Sequence, residues 1–183
     1  MDSNTKKVLW DLAGKAGLIL GLISTASMAI GQMMAVLETP VLLNTLIGTV
    51  LWAAETGGCI YFMYMFMKKF AATCPEADNR MTFKMGTATA FLSALVYSTA
   101  SFANLAFISS DYYSTQYQIL MEQMAPIMDS NTAATMEKML SDMPQISFVS
   151  NLIYCFIFGT VVSAVLSRNI PDRNPFNRHT TEQ

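Results

Sequence analysis

Charged side chains are scarce in this sequence. Only 13% of its 183 residues are Asp, Glu, Lys or Arg, whereas soluble domains carry roughly 25%. A soluble globule with so little charge would have too few polar side chains to cover its surface. The composition therefore excludes an ordinary soluble domain.

Histidine and cysteine are scarcer still. The single histidine, His179, lies in a polar C-terminal stretch without other ligands nearby, and the three cysteines, Cys59, Cys74 and Cys155, show no C-x-x-C spacing. Zinc sites and disulfide frameworks depend on clustered ligands or paired cysteines. We therefore expect neither a metal site nor a cofactor.

Motifs that carry catalysis or nucleic-acid binding are also missing. The sequence contains no P-loop, no G-x-S-x-G and no dinucleotide fingerprint. No histidine lies in an apolar run to activate a serine or threonine. Basic patches interleaved with aromatic residues, which nucleic-acid binding needs, are not found either. We therefore expect that the chain is not an enzyme and does not bind nucleic acid.

Apolar residues, by contrast, make up 52% of the chain and lie in four long runs. A helix crosses the ~30 Å hydrocarbon layer with about 20 residues, and every run is long enough to do so. The sequence therefore predicts an all-α, polytopic membrane protein whose first partner is the lipid bilayer. The predicted transmembrane helices are Leu12–Leu37, Val41–Met67, Phe83–Ser109 and Ile146–Leu166.

The first run has an alternative interpretation as a cleaved signal peptide. Lys6 and Lys7 precede it, and "STASMA" supplies small residues for cleavage. However, the run continues to Leu37, whereas the core of a signal peptide spans only about 7–15 residues. We therefore interpret it as a retained transmembrane helix.

The distribution of cations predicts the orientation. Ten of the eleven Lys and Arg residues lie in the N-terminal segment, the 68–84 loop or the C-terminal tail, and only Lys138 lies between the third and fourth spans. That intervening segment also carries five acids, and basic loops stay on the cytoplasmic side. We predict cytoplasmic residues 1–11, transmembrane helices within 12–109, an extracytoplasmic segment 110–145, a fourth transmembrane helix at 146–166 and a disordered cytoplasmic tail at 167–183.

Small residues recur at four-residue spacing in every predicted span. Membrane helices associate mainly through close packing, which small side chains allow. Stripes in all four spans predict a compact bundle. They comprise Ala13, Gly17, Gly21 and Thr25 in the first span, Ala54 and Gly58 in the second, Gly86, Ala90, Ala94 and Ser98 in the third, and Cys155, Gly159 and Ser163 in the fourth.

The segment between the third and fourth spans predicts an amphipathic helical hairpin. Its two halves place apolar residues at helical spacing, with Pro126 ending or kinking the first helix and Pro144 ending the second. These methionine-rich faces can rest on lipid headgroups or cap the bundle, bind a partner adaptably, or bind copper, although no His or Cys supports the last role. The candidate partner surface comprises Tyr113, Tyr117, Met121, Met124, Met136, Met139 and Met143.

Glu55 is a carboxylic acid inside the second apolar run, "LWAAETGGCIYFMYMFMKK". It lies 13 residues before Lys68, or about 20 Å along a helix, and similar counts place Tyr97 and Tyr154 at the same depth. An ionised acid there is costly, so we expect the neutral acid, able to share a hydrogen bond with either tyrosine. Three interpretations stay open. Glu55 can form a hydrogen bond between helices, or it can be a protonatable site on a path for protons or a polar substrate. In the third, the span is shifted and Glu55 reaches water.

Four motifs give the chain a family resemblance. They are "YMFMKKF" ending the second span, "RMTFKMG" leading into the third, the acidic, Met-rich segment opening with "DYY", and "FGTVVSAVLSRN" in the fourth span. Together they resemble a family of small four-helix membrane proteins common in Bacteroidetes, domain of unknown function 4199. The resemblance implies a bacterial inner membrane location and an association with lipid-linked glycoconjugate processes in the envelope. It implies no catalytic residues.

Two functional hypotheses follow from these observations. The leading one is a non-enzymatic accessory or scaffold protein that contacts another membrane protein through the outer hairpin. The alternative is a small transporter or channel subunit, assembled as a homo-oligomer, that uses Glu55 as a protonatable site. An accessory bundle should be packed shut around Glu55, whereas a transporter needs a cavity that reaches it.

Overall fold

The computed structural model describes residues 3–36, 41–74, 77–124 and 129–170, and nearly all of them are helical. No strand occurs within these ranges. Six α-helices follow one another, and a π-helical turn at Asn104–Ile108 continues the third. They are α1 (Ser3–Val36), α2 (Val41–Thr73), α3 (Asn79–Ala103), α4 (Ser110–Met124), α5 (Ser130–Ser141) and α6 (Met143–Asn169).

Four of these helices are long and apolar enough to cross a membrane. The qualifying segments are Ser3–Met34, Thr45–Thr73, Asn79–Ile108 and Met143–Asn169. The prediction of an all-α chain with four candidate membrane helices is thereby confirmed. The segment predicted as an amphipathic hairpin contains α4 and α5, while Pro126, expected to separate them, lies outside the described residues.

Capping and proline chemistry fix two helix starts. The Asp78 carboxylate accepts the Met81 backbone N–H at 2.7 Å, which satisfies one of the unpaired donors at the start of α3. Pro144 lies in the first turn of α6, where its missing N–H breaks no hydrogen bond. The prediction that Pro144 ends the second helix of the hairpin is therefore wrong: α5 ends at Ser141, and Pro144 lies in the first turn of α6.

Helix α3 is the centre of the bundle. Its principal contacts are with α6 on one side and α1 on the other, whereas α2 packs mainly on α1 and touches α3 and α6 only briefly. Buried side chains accordingly run along α3 from Thr82 to Ser101. Helix α2 is thus the most loosely attached of the four long helices.

The packed core lies toward one end of the bundle. We call this the basic end, because Lys7, Lys68, Arg80 and Arg168 surround it. No described side chain of α1 beyond Gly21, of α2 before Met63 or of α6 before Ser163 is buried. The core includes Leu9, Leu12, Ala16 and Leu20 of α1, Met63, Phe66, Met67 and Phe70 of α2, and Met85 and Ala90 of α3.

Three of the four small-residue stripes form close contacts. A Cβ atom added at Gly17 of α1 would lie 2.6 Å from the Leu92 Cβ of α3, and one at Gly159 of α6 would lie 2.6 Å from the Ala90 Cβ. On α2, by contrast, Ala54 is exposed and Gly58 has no neighbour within 4 Å of an added Cβ. Among the described residues, the stripe of α2 therefore does not contribute to packing.

Candidate functional site

Glu55 lies on α2 just where the packed core ends. It precedes Met63, the first buried side chain of that helix, by eight residues, or about two turns. Its own side chain is half-buried, while neighbouring Trp52 and Ala54 are exposed. The acid is therefore positioned between the packed basic half of the bundle and the loosely packed other half.

A cavity of about 150 Å³ lies beside Glu55, and all four long helices line it. Polar groups reach it from Ser24 of α1, Glu55 of α2, Tyr97 of α3 and Tyr154 of α6. Its wall is otherwise mainly apolar and includes Leu20, Ile60, Met63, Phe158 and Val162. The bundle is thus not packed shut at the acid.

The three residues of the predicted polar layer all line this cavity. Tyr97 is half-buried in the wall of the cavity. Tyr154 is 69% exposed and stacks on Phe158 at a ring distance of 6.4 Å, which places it at the rim. Within the described part of the chain, Glu55 forms no hydrogen bond or ion pair with either tyrosine or any other residue.

Two thiols that the sequence argument did not place at the site also line the cavity. Cys59 and Cys155 are both half-buried in its wall, and the Cys59 Sγ lies 4.0 Å from the Ser24 Oγ. None of the three cysteines of the chain forms a disulfide. Cys59 follows Glu55 by four residues, so helical periodicity was a signal that could have found it. Cys155 has no such signal, because it lies on a different helix.

The arrangement suits reversible binding at one carboxyl group. In a mainly apolar wall the ionised form is costly unless a cation accompanies it, so the group can hold either a proton or a positively charged partner. Across the described residues, no group of three or more His, Cys, Asp or Glu side chains is placed to hold a metal ion. The chemistry of the site therefore centres on Glu55.

The candidate partner surface is distributed over three helices. Met121 and Met124 of α4 and Met136 of α5 are half-buried, and Met139 of α5 is exposed. Met143, expected on the second hairpin helix, is exposed in the first turn of α6 instead. The remaining two members, Tyr113 and Tyr117, lie on α4, but their side chains are outside what the structure describes.

A second polar cluster, between α3 and α6, was missed by the sequence argument. The Asn151 side-chain amide donates to Ser101 Oγ at 3.0 Å and to Ser147 Oγ at 3.2 Å. Nearby, the Ser109 hydroxyl donates to the Asn104 side-chain oxygen at 3.3 Å across the π-helical turn. Asn151 and Ser147, four residues apart in an apolar run, were a sequence signal for this helix contact.

A comparison with protein families found a match to this chain. A model of the family described as "Protein of unknown function (DUF4199)" matches residues 15–168, which include every residue named around the cavity. The search of curated proteins found no match, and neither did the search of solved structures. Since the matched region covers most of the sequence and extends into all four candidate membrane helices, the chain belongs to this family of proteins of unknown function.

Proposed function

We propose that this protein is a small transporter or channel subunit that uses Glu55 as a protonatable site. The observation that carries the proposal is the cavity beside Glu55, which an accessory bundle held together by that acid would not need. A cavity gives a proton or a small polar solute room to meet the carboxyl group. The chain would then act by passing that species along a path through Glu55.

The uneven packing of the bundle supports this function. The basic half is closed by a continuous hydrophobic core, while the opposite half of α2 has no buried side chain among its described residues. A site of this kind would be closed on the basic side and less tightly closed on the other, an asymmetry that transport by alternating access could use. Movement of the weakly attached α2 relative to α3 and α6 would change that access.

Transport through a chain of this size calls for a homo-oligomer. Four helices form a thin wall around a central path, and α2 leaves a broad apolar surface uncovered, including Trp52 with 66% exposure. A second copy packed on that surface would complete the wall. We therefore include self-association in the proposed function.

We place the protein in the bacterial inner membrane with both termini in the cytoplasm. The basic end of the bundle carries most of the cations, and the helices at the other end carry exposed acids such as Glu122 and Asp142. The positive-inside rule then orients the basic end toward the cytoplasm. Helices α4 and α5 would lie on the extracytoplasmic side.

A non-enzymatic accessory role, the leading hypothesis from the sequence, is the second candidate here. Large apolar side chains on the loosely packed part of α2, Leu42, Leu46, Val50 and Trp52, are exposed and available to a membrane helix of another protein. The family resemblance links such a role to lipid-linked glycoconjugate processes in the envelope. An accessory protein of this kind would keep its partner when Glu55 is replaced.

Proton flux through reconstituted protein tests the proposed function. Purified protein is placed in liposomes that contain a pH-sensitive dye, and a potassium gradient with valinomycin drives proton entry. We expect faster acidification than in protein-free liposomes, and a return to the protein-free rate in Glu55→Gln. The matched control is Glu122→Gln, which removes an exposed acid on α4 and should leave the flux unchanged.

A flux that is equal in the wild type and Glu55→Gln would contradict the role of the acid. A wild-type rate equal to that of protein-free liposomes would contradict a proton pathway and favour the accessory function. Affinity purification from native membranes then distinguishes the two candidates further. A stoichiometric partner that is retained by Glu55→Gln supports the accessory protein, and a homo-oligomer supports the transporter.

A further inference from the structure

We infer that the cavity beside Glu55 binds a small organic cation of the alkylammonium class, with the Glu55 carboxylate as its counter-ion. This inference rests on the proposed function and names the class of solute for the same site. It is drawn from the charge, the aromatic side chains and the size of the cavity.

Charge selects a cation. Glu55 is the one acidic side chain among the residues that line the cavity, and no Lys, Arg or His lies with it there. No described residue forms an ion pair with it. An ionised carboxylate in a mainly apolar wall needs a positive partner, and the described part of the chain supplies none. A cationic ligand provides that partner, whereas an anionic ligand would be repelled.

The aromatic lining favours an organic cation over a metal ion. Tyr97, Tyr154 and Phe158 all reach the cavity, and the ring faces of such residues attract alkylammonium groups. A bare metal ion of the calcium or magnesium type needs about six oxygen ligands, and one carboxyl group with a few hydroxyls does not supply them. The apolar wall, by contrast, suits the methyl groups of an alkylammonium ion.

The cavity volume limits the ligand to a small one. At about 150 Å³, the cavity resembles engineered cavities that hold a single benzene molecule. A quaternary ammonium with about seven non-hydrogen atoms, such as choline, is of that size. Choline is useful as a probe because its uncharged isostere, 3,3-dimethylbutan-1-ol, has the same shape without the charge.

The other titratable groups around the cavity do not supply a counter-ion for Glu55. They are Cys59 on α2, Tyr97 on α3, and Tyr154 and Cys155 on α6, while α1 contributes the non-titrating Ser24. None of these groups is cationic, so the positive charge has to come from the ligand.

Binding of radiolabelled choline to the full-length chain tests the inference. The protein is placed in nanodiscs of phosphatidylglycerol, a lipid that carries no ammonium group. We expect saturable binding that 3,3-dimethylbutan-1-ol does not displace, and a loss of at least about tenfold in affinity in Glu55→Gln. Glu55→Asp should retain part of the affinity, and the matched control Asp142→Asn, which alters an exposed acid, should retain all of it.

A second pair of variants reports on the aromatic contribution independently of the acid. Tyr97→Phe keeps the ring and should bind choline as the wild type does, whereas Tyr97→Leu removes the ring and should weaken binding about threefold to tenfold. If Glu55→Gln fails to fold, as judged by gel filtration, this pair together with Glu55→Asp still decides the inference. Equal affinities in Tyr97→Phe and Tyr97→Leu would overturn the cation–aromatic contact.

Displacement of choline by its uncharged isostere would overturn the inference, because the cavity would then recognise shape alone. So would binding that survives in a folded Glu55→Gln variant. Failure of the inference is distinguishable from failure of the proposed function. If proton flux depends on Glu55 but choline does not bind, the cation site is overturned and the transporter proposal stands. If neither proton flux nor choline binding is observed, both proposals are overturned.

Discussion

Ser163 of α6 occupies the space that a side chain at Gly86 of α3 would need. The Ser163 hydroxyl donates to the Phe83 backbone carbonyl at 3.1 Å, and both Ser163 and Gly86 are buried. A Cβ added at Gly86 would clash with the serine hydroxyl and would lie 3.0 Å from the Met67 sulfur. The contact brings α3, α6 and α2 together at the basic end.

Gly86→Ala should destabilise the protein by about 1–3 kcal/mol, since an overpacked contact forces neighbouring side chains and backbone to shift. The measurement is the free energy of unfolding in mixed micelles with increasing sodium dodecyl sulfate. Gly57→Ala is the matched control, because an added Cβ there has no neighbour within 4 Å. Ser163→Gly combined with Gly86→Ala should restore part of the stability. Equal stabilities of the two single glycine variants would contradict this packing.

Asn151→Leu should also destabilise the bundle, because it removes both hydrogen bonds from the Asn151 amide to the hydroxyls of Ser101 and Ser147. Interhelical hydrogen bonds in membranes are worth about 0.6 kcal/mol on average and up to about 1.7 kcal/mol. The same unfolding measurement gives the loss. Asn169→Leu, at an exposed position near the end of α6, is the control and should have little effect. Similar losses in both variants would argue against a role for the polar cluster.

Acidification should loosen the start of α5 through Asp129. The hydroxyl and the backbone N–H of Thr132 hydrogen-bond the Asp129 carboxylate and lower its pKa below its usual value of 3.8. A lowered pKa means that the contribution to stability is present above the usual value and disappears as the pH falls through the lowered one. Hydrogen exchange of the first amides of α5, corrected for intrinsic rates, should therefore show less protection at about pH 3 than at about pH 6.

Asp129→Asn provides the control for this pH dependence. Asparagine caps helices nearly as well as aspartate but has no proton to gain in this range. Protection at the start of α5 should then be similar at both pH values. A pH effect of the same size in this variant would show that another group is responsible.

The orientation of the bundle is testable by cysteine labelling in spheroplasts. Two variants each introduce one exposed thiol, and the two thiols lie at opposite ends of the bundle. They are Asn131→Cys on α5 and Arg80→Cys at the start of α3. If the basic end faces the cytoplasm, a membrane-impermeant maleimide should label position 131 in intact spheroplasts and position 80 only after lysis. The reverse pattern would invert the proposed topology.

Sequence-based prediction is most successful for features that depend on residue spacing within a single helix. Counting residues along each helix places Glu55, Tyr97 and Tyr154 at one depth, and all three line one cavity. Counting could not indicate that Ser24 and Cys155 join them, because the direction in which a side chain points depends on how the helices are rotated. It also could not indicate that Met143 belongs to α6, since that assignment depends on where α5 ends.

Helix number and membrane character were determined by the sequence alone. In hydrocarbon every backbone polar group must be satisfied within its own helix, so a long apolar run with few charges is sufficient to predict a spanning helix. Helix pairing was decided only by the tertiary structure. All four spans carry small residues, yet the stripes of α1, α3 and α6 are used and that of α2 is not, because close packing requires a complementary surface on a neighbour. That missing contact loosens α2, and the cavity beside Glu55 lies where its packing ends.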